Sequence, residues 1–566
     1  MSDDSRPITL EHALYALALA AGLGFRLLHL GALPLSDLEA DGALQALQIV
    51  RGEGPAIGAN AAYVHLTAAL FYLFDATNFL ARLWPALAGA SLVLVPLAFR
   101  DRLGKLPALL LACGLAIDPG LAAISRQAAG PMLAIASLAW AWAAWRHRRF
   151  ALAGVAAGLA LLSGPAAWFG LVILLAGWGL AAGFLPPPKP AEVPERPGWP
   201  EIRAALAWGA GTLLLVGTLF SLSLGGLGAV LTGLVAYFRG WGTFSGTPVL
   251  HLLAALPAYA PLALVLGLVG LVRGLLGRDE STLRLGAWLL AGLLLALVYP
   301  GRQVADLAWM LVPLWALAAL ELARHFDFAG RNLWEVAGAA VLSLALLTST
   351  WFYLLGMVNL NLGMEFGRVR LLILVGLMVM LVVALLLVAY GWSSAVARLG
   401  AVWGGGAMLF FLTVASLTGA TGLREPLTAE LWTPPPRLGQ ADLLLETVDE
   451  ISTWNEGLPG ALPVTLAGVD SPALRWLLRD YELQSVPVLT PELTPPLVIT
   501  PETQLDLAAA YRGQDFAWYQ TPAFTTATGA EWGRWYLFHQ MGVQTQNIIF
   551  WVRSDLQIGS QLPATP

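Results

Sequence analysis

The sequence predicts a mainly α-helical, polytopic membrane protein that carries a C-terminal α/β domain. Only 12% of the 566 residues are charged and 58% are hydrophobic, with a mean hydropathy of +0.70, whereas soluble domains carry about 25% charged residues. Long apolar stretches fill most of the chain up to residue 420, and from Thr421 the composition becomes mixed, with many prolines and short β-like runs. The net charge of −5 and the absence of a basic block argue against a nucleic-acid partner.

The apolar stretches predict about 13 membrane spans. A helix needs about 20 apolar residues to cross a bilayer, although tilted or protein-buried helices can be shorter. The predicted spans are residues 9–30, 79–99, 106–118, 131–145, 150–163, 165–184, 204–224, 249–272, 285–299, 307–323, 333–357, 371–390 and 399–418. The apolar segment 61–74 is short for a span and better suits a re-entrant or interfacial helix.

The basic residues predict the orientation of these spans in the cytoplasmic (plasma) membrane. Lys and Arg concentrate on the cytoplasmic side of membrane proteins. Placing the N-terminus inside puts most of the basic residues of the membrane half on cytoplasmic loops, with Arg368 and Arg370 as exceptions. The odd number of spans then places the C-terminal domain outside the membrane, and residues 31–78 form a long first outer loop.

Composition divides the chain into four regions. They are an N-terminal transmembrane region at 1–184, a Pro-rich cytoplasmic linker at 185–203, a second transmembrane region at 204–420 and an extracytoplasmic α/β domain at 421–566. In the last region we predict strands in LPVTLAGV (462–469), PPLVIT (495–500) and NIIFWVR (547–553), and helices at 471–481, 505–513 and 531–542.

The first outer loop contains three acidic residues, Asp37, Glu39 and Asp41, at the start of an amphipathic pattern that predicts a surface helix. Ser36 and Glu39 have the spacing of a capping box, and acids at a helix start interact favourably with its dipole. A carboxylate at the membrane surface can also take a proton from an acceptor hydroxyl. The spacing alone leaves both interpretations open.

Four segments of the membrane half are, in chain order, PLSDLEADGALQA (34–46), FLARLWPALAGASLVLVPLAFRDRLG (79–104), AISRQAAGPMLAIASLAWAW (123–142) and GTPVLHLLAALPAYAPLAL (246–264). Together they resemble the GT-C membrane glycosyltransferases, the group that includes protein O-mannosyltransferases and aminoarabinose transferases (glycosyltransferase family 39-type). The likeness covers about residues 1–325. The C-terminal region, with LRWLLRDY and FWVRSDL, is similar to a flippase-associated branch of this group.

The resemblance implies a GT-C fold and the inverting transfer of a sugar from a polyprenyl-phosphate donor to an extracytoplasmic protein or glycan acceptor. In the family, the Asp of an Asp-Glu pair is taken as the catalytic base. Here Leu38 aligns with that Asp, and Gly130 aligns with the acid of the second outer loop. Either Asp37 or Glu39 therefore acts as the base, or the protein binds or presents lipid-linked saccharides without catalysis. A transporter is a third, lower-ranked hypothesis.

The remaining candidates are cations for the donor phosphate and polar residues that would orient the substrate, because Arg makes planar bidentate contacts with phosphate oxygens. The phosphate candidates are Arg126, Arg239 and Arg302, and the orienting candidates are Asp41, His65 and Asp306. Four of them have a simpler structural interpretation: an interface anchor for Arg126, an i,i+4 ion pair for Arg302 with Asp306, and a hydrogen-bonded structural role for His65. Arg82, near a helix start, is interpreted as structural. We predict no specific metal ligands and no cofactor, although the carboxylates of 37–41 are compatible with a divalent metal.

Overall fold

The computed structural model describes residues 10–185, 197–327, 332–359, 364–424 and 429–556. Nineteen α-helices precede the C-terminal domain in these ranges. They are α1 (Leu10–Leu27), α2 (Asp37–Val50), α3 (Ala61–Phe74), α4 (Asn78–Leu92), α5 (Arg100–Leu103), α6 (Lys105–Ile117), α7 (Pro119–Ser125), α8 (Met132–Arg146), α9 (Phe150–Leu161), α10 (Pro165–Phe184), α11 (Trp199–Gly217), α12 (Ala229–Arg239), α13 (Val249–Tyr259), α14 (Pro261–Gly277), α15 (Glu280–Val298), α16 (Ala308–Ala323), α17 (Leu333–Asn359), α18 (Met364–Gly391) and α19 (Ser394–Ala420).

The protein is an integral membrane protein with seven helices in its described ranges that are long and apolar enough to cross a bilayer, or nine if two bent pairs each count as one span. The seven are Asn78–Leu103, Pro165–Phe184, Glu280–Val298, Val304–Phe326, Leu333–Val358, Arg368–Gly391 and Ser394–Ala420. Every predicted span coincides with helical structure, but the number 13 is not confirmed. Helices α8 and α9, for example, have 15 and 12 residues, which is short for a crossing.

One predicted span, 249–272, differs from the straight helix that its apolar length suggested, and the helix of predicted span 106–118 is followed by a second, bent helix outside that span. The pair α13 and α14 bends by 94° and the pair α6 and α7 by 55°. Pro261 begins α14 and Pro119 begins α7. Proline lacks the backbone N–H and disfavours a helical conformation in the residue before it, so each helix breaks there. The predicted linker lies largely outside the described residues (186–196), and α11 already begins at Trp199.

Glycines let the membrane helices approach closely around α16. A Cβ atom on Gly114 of α6 would lie 2.3 Å from the Trp315 ring, and one on Gly170 of α10 would lie 2.2 Å from the Trp309 ring. Both tryptophans are almost fully buried in the main core of the membrane region. The absent glycine side chains therefore make room for the two largest residues of α16.

The C-terminal domain is built on one six-stranded mixed sheet with the order β1-β5-β6-β4-β2-β3. Its strands are β1 (Arg437–Leu438), β2 (Val464–Ala467), β3 (Leu483–Val486), β4 (Leu497–Thr500), β5 (Tyr511–Pro522) and β6 (Val543–Arg553). Its helices are α20 (Ala441–Glu456), α21 (Pro472–Leu477) and α22 (Gly529–Phe538). Strands β3, β2 and β4 run parallel, whereas β6, β5 and β1 pair antiparallel.

The three predicted strands and two of the three predicted helices are present in this domain. The predicted helix at 505–513 is wrong, because residues 505–510 are irregular and Tyr511 begins β5. The alanine-rich run favours a helix locally, but β5 pairs along almost its whole length with β6. Non-local strand pairing overrides helix propensity here.

The C-terminal domain shares a hydrophobic core with the loop between α1 and α4. Buried residues of α2 and α3, such as Ala43, Tyr63 and Phe71, belong to the same cluster as Leu474 and Trp476 of the domain. The Phe71 and Trp476 rings stack with centroids 5.6 Å apart. This loop and the domain therefore pack as one apolar unit.

Candidate functional site

The acidic residues lie on α2, whose start follows the predicted capping pattern. The Glu39 carboxylate accepts hydrogen bonds from the Ser36 backbone N–H and hydroxyl, both at 3.0 Å through Oε2. Behind this first turn, Ala40, Ala43 and Ala46 are fully buried. These small side chains let α2 pack closely against α3.

Glu39 is enclosed in a network centred on Arg82 of α4. Arg82 Nε donates to Oε1 at 2.7 Å and Nη2 to Oε2 at 2.9 Å, and the Ala128 N–H donates to Oε1 at 3.0 Å. Glu39 is 7% exposed. Burial acts to raise the pKa of Glu39, but the charge and hydrogen bonds of Arg82, with those from Ala128 and Ser36, outweigh it, so this pKa lies below its usual range. Glu39 is thus an ionised structural group with little capacity to take up a proton.

Arg82 also closes the end of the loop that follows α1. Nη1 donates to the carbonyls of Leu30 and Leu33 at 3.2 and 2.7 Å, and Nη2 donates to that of Pro34 at 3.0 Å. With its bonds to Glu39, the guanidinium links α4, the loop and α2. This agrees with the structural interpretation of Arg82, although no local sequence pattern indicates Glu39 as its partner.

Asp37 contacts the C-terminal domain. Its Oδ1 accepts from the Ser471 hydroxyl at 2.6 Å and the Ala473 N–H at 3.0 Å, and its Oδ2 accepts from the Tyr519 hydroxyl at 2.5 Å. Burial, and then the hydrogen bond to Asp37, raise the pKa of Tyr519, which keeps this phenol a donor. Asp37 therefore holds the start of α21 and strand β5 against α2.

Asp41 is the exposed member of the acidic cluster. Its Oδ2 accepts one hydrogen bond, from Gln45 Nε2 at 3.0 Å, and Gln45 Oε1 accepts in turn from the Gly58 N–H at 3.1 Å. Leu38, three residues earlier, is 62% exposed, and residues three apart are neighbours on a helix surface. The open face of α2 thus presents Leu38 beside a carboxylate that keeps one oxygen free of hydrogen bonds to the described residues.

Arg126 caps α1 and does not face open space with a free guanidinium. Nη1 donates to the carbonyls of Phe25, Arg26 and Leu28 at 3.1, 3.1 and 2.7 Å, and Nη2 donates to that of His29 at 3.2 Å. The last carbonyls of a helix lack partners within the helix, and the guanidinium supplies them. These four bonds engage Nη1 and Nη2, and a phosphate-binding role for Arg126 remains a prediction.

Arg239, the last residue of α12, lies next to the loop that contains Arg302. The Gly301 N–H donates to the Gly240 carbonyl at 2.8 Å. Arg302 is largely buried; Nε and Nη1 donate to the carbonyls of Thr247 and Leu297 at 3.2 and 2.5 Å, and its guanidinium lies 5.3 Å from the Phe244 ring centroid. Arg239 is exposed, and its side chain makes no hydrogen bond or ion pair within the described residues. The two predicted cations thus share one end of the membrane helices.

Asp306 does not pair with Arg302. Its Oδ2 accepts from the Gln303 N–H at 2.8 Å and so caps the helical turn that precedes α16. The i,i+4 ion pair considered for these two residues is absent from this described segment, because the Arg302 donors point to carbonyls instead.

His65 is fully buried in α3. Nδ1 donates to the Val216 carbonyl at 2.6 Å, while Nε2 is buried without a hydrogen-bond partner among the described residues. Burial lowers the pKa of His65 despite that bond, which favours the neutral ring. These contacts fit the interpretation of His65 as a hydrogen-bonded structural residue.

A second buried polar cluster lies where α1, α6 and α7 meet, and the sequence analysis missed it. Arg26 is fully buried and donates to Ser125 Oγ at 3.2 Å and to the carbonyls of Gly22, Leu115 and Ala116. Asp118 caps α7 and accepts from Trp315 Nε1 at 2.7 Å. The sequence signal for this cluster was the presence of the charged residues Arg26 and Asp118 within apolar runs, because charged residues inside the membrane need partners.

The described ranges contain no group of three or more His, Cys, Asp or Glu residues arranged to hold a metal ion. Asp37, Glu39 and Asp41 follow one another on α2 but point to three different environments. The carboxylates that made a divalent metal conceivable in the sequence therefore do not converge.

Comparison with known proteins identifies the fold. No family model matches the chain, and no curated protein matches it by sequence. Among solved structures it is similar to ArnT from Cupriavidus metallidurans bound to undecaprenyl phosphate, with a TM-score of 0.51 and 16% identity over 84% of this chain and 86% of that one. The apo structure of the same ArnT gives a TM-score of 0.49 at the same identity and coverage. The chain therefore has an ArnT-like GT-C fold, as predicted.

Proposed function

We propose that this protein is a membrane glycosyltransferase that moves a sugar from a polyprenyl-phosphate donor to an acceptor on the extracytoplasmic side. The observation that carries the proposal is the likeness over 84% of the chain to ArnT in its complex with undecaprenyl phosphate. The apolar helices would hold the polyprenyl tail, and the C-terminal domain with α2 would lie outside the membrane, as the distribution of basic residues predicts.

Asp41 is the carboxylate best placed to act as general base. The predicted candidates Asp37 and Glu39 have their oxygens engaged by Tyr519, Ser471 and Arg82, whereas Asp41 is exposed and keeps one oxygen free of described partners. It lies one helical turn after Leu38, the position that aligns with the base of the family. In this proposal Asp37 and Glu39 position α2, and Asp41 contacts the substrate.

The transfer itself is a single displacement. Asp41 takes the proton of the acceptor hydroxyl, whose oxygen forms a bond to the anomeric carbon while the bond from that carbon to the phosphate oxygen breaks. The polyprenyl phosphate leaves with the electron pair. A base that removes the proton in this way typically contributes about 10²–10⁴-fold to the rate.

Arg239 and Arg302 are the cations we assign to the donor phosphate. The exposed side chain of Arg239 has no described partner, and Arg302 lies on the neighbouring loop. Trp241 and Phe244 between them are 39% and 73% exposed, in keeping with aromatic residues at a membrane–water interface. Positive charge at this depth would attract the phosphate and stabilise the negative charge that develops as it leaves.

A second candidate function is the binding or presentation of lipid-linked saccharides without catalysis. Three observations favour it: Glu39 is saturated with hydrogen bonds, Asp37 is committed to the C-terminal domain, and Leu38 occupies the aligned position of the base. Under this hypothesis donor binding persists and turnover is absent in every variant.

A transfer assay with purified protein in lipid nanodiscs and a panel of polyprenyl-phosphate sugars separates the two functions. We expect Asp41→Asn to lower turnover by about 10²-fold or more while donor binding is retained, and Arg239→Ala to weaken donor binding. Glu53→Gln, which removes another exposed acid near the end of α2, is the matched control. If turnover is retained in Asp41→Asn but lost in Asp37→Asn, Asp37 is the base. Donor binding without turnover in the wild type would favour the second function.

A further inference from the structure

A cleft of about 340 Å³ separates the C-terminal domain from the loop between α1 and α4. One wall is formed by residues 31–35 and 77–79, and the other by β1, α20 and α21. We call it the interdomain cleft. Its volume falls within the range of about 300–1,000 Å³ that small-molecule sites occupy.

Three polar side chains in the interdomain cleft retain hydrogen-bonding capacity. The Asp442 carboxylate is exposed and makes no hydrogen bond or ion pair within the described chain. Asn78 accepts from Trp476 Nε1 at 2.7 Å through Oδ1, which leaves its Nδ2 donors unused by described residues. Arg479 is held by Nη1, which donates to the Trp476 carbonyl at 3.0 Å, and by its position 4.8 Å from the Trp476 ring centroid.

Arg479 and Asn78 are fixed by Trp476, so their directions are set before any ligand arrives. Trp476 is 2% exposed and is packed between Phe71 and the Arg479 guanidinium. Arg479 Nε lies 4.0 Å from Asp480 Oδ2, while Arg479 Nη2 and Asn78 Nδ2 make no hydrogen bond to the described residues. These two nitrogens are donors, and the Asp442 carboxylate is an acceptor. Donors and an acceptor with fixed directions around the interdomain cleft suit a ligand whose groups both donate and accept hydrogen bonds.

The apolar part of the interdomain cleft is formed by Phe79, Leu35, Leu438 and Leu445. Phe79 is 40% exposed, so its ring is accessible to a ligand. Sugars combine hydroxyl groups, which both donate and accept, with an apolar face of C–H groups. A few convergent polar groups on an otherwise apolar wall is the usual construction of a small-molecule site.

We propose that the interdomain cleft binds a neutral saccharide, with Asp442, Asn78 and Arg479 contacting its hydroxyls and Phe79 its apolar face. The role of this saccharide as the acceptor rests on the proposed transferase function. Ala473, which lines the cleft, donates its backbone N–H to Asp37, so the cleft lies beside the helix that carries Asp41.

The test measures saccharide binding to the full-length protein in nanodiscs by saturation-transfer NMR and by calorimetric titration. The probes are disaccharides of glucose, galactose, mannose and N-acetylglucosamine. We expect at least one to bind, with affinity about tenfold or more lower in Asp442→Asn, because a bond to a charged group is lost. Phe79→Ala should also weaken binding, and Glu450→Gln, which alters an exposed acid of α20 outside the cleft, should leave it unchanged.

The possible results separate this inference from the proposed function. If no disaccharide binds, or if Asp442→Asn and Phe79→Ala both bind as the wild type does, the saccharide site is wrong, even where sugar transfer to a peptide acceptor is observed. If a disaccharide binds with the expected variant pattern and no donor sugar is ever transferred, the saccharide site stands and the transferase function fails.

Discussion

Replacing Arg82 with methionine is expected to destabilise the protein strongly, because it leaves Glu39 ionised in a buried environment. The side chains of Arg82 and Glu39 are only 7% and 10% exposed, respectively. The change removes both guanidinium bonds to Glu39 and releases three loop carbonyls that the same guanidinium binds. Methionine has a similar length, so the loss of packing is small.

The magnitude follows from the charge that remains. Breaking a buried ion pair by removing one partner costs about 3–5 kcal/mol. The Ser36 and Ala128 donors still bind Glu39 and reduce this figure, whereas the freed carbonyls add to it. Glu39→Gln combined with Arg82→Met removes both charges and should recover a large part of the loss.

The assay is the apparent midpoint of thermal unfolding in detergent, followed by tryptophan fluorescence, for the wild type, both single variants and the double variant. The cycle isolates the interaction between the two side chains. Arg512→Met, at an exposed position of β5, controls for the loss of one positive charge. An Arg82→Met midpoint equal to that of Arg512→Met, or a double variant that shows the full sum of the single losses, would refute this account of the pair.

Three further predictions follow from described contacts. Because the pKa of Glu39 is lowered from 4.5, its ionised form stabilises the fold above that unfolded-state value, and this contribution is lost as pH falls through the folded-state pKa. The difference in unfolding midpoint between wild type and Glu39→Gln should therefore shrink on acidification from pH about 7 to 3. A constant difference would contradict this linkage. Asp37→Asn and, to a smaller extent, Tyr519→Phe should weaken attachment of the C-terminal domain by about 1–3 kcal/mol, seen as faster release by limited proteolysis, with Asp515→Asn on the same strand as control. Gly170→Ala should lower stability by about 1–3 kcal/mol because its Cβ would overlap Trp309, whereas Gly179→Ala in the same helix has no atom within 4 Å and should be tolerated in the same thermal assay.

Local features of the site were predictable from the sequence, and its partners were not. The spacing of Ser36 and Glu39 predicted the start of α2, because capping depends on residues within one turn. The partners of Glu39 and Asp37 lie 43 and 434 residues away, and no local pattern encodes them. The same limit explains Arg126, whose four bonds reach back about 100 residues to the end of α1.

The fold class was predicted well because apolar length and charge distribution are constraints of the bilayer itself. The number of spans was harder, since short helices that pack within the protein, such as α8 and α9 with 15 and 12 residues, need not reach across the membrane. The helix predicted at 505–513 failed for a related reason: pairing of β5 with β6 decides its structure, and that partner follows in sequence.

The contact between Asp37 and Ser471 has a consequence for synthesis of the protein. The two residues are separated by 434 positions, so at translation rates of about 5–20 residues per second α2 waits roughly 20 to 90 s for its binding partner on the C-terminal domain. Arg82 follows Glu39 by only 43 positions and emerges within about 10 s at the same rates. The ion pair is therefore available to hold the nascent loop while the remaining helices insert, so Arg82→Met should lower the yield of inserted protein more than Asp37→Asn does.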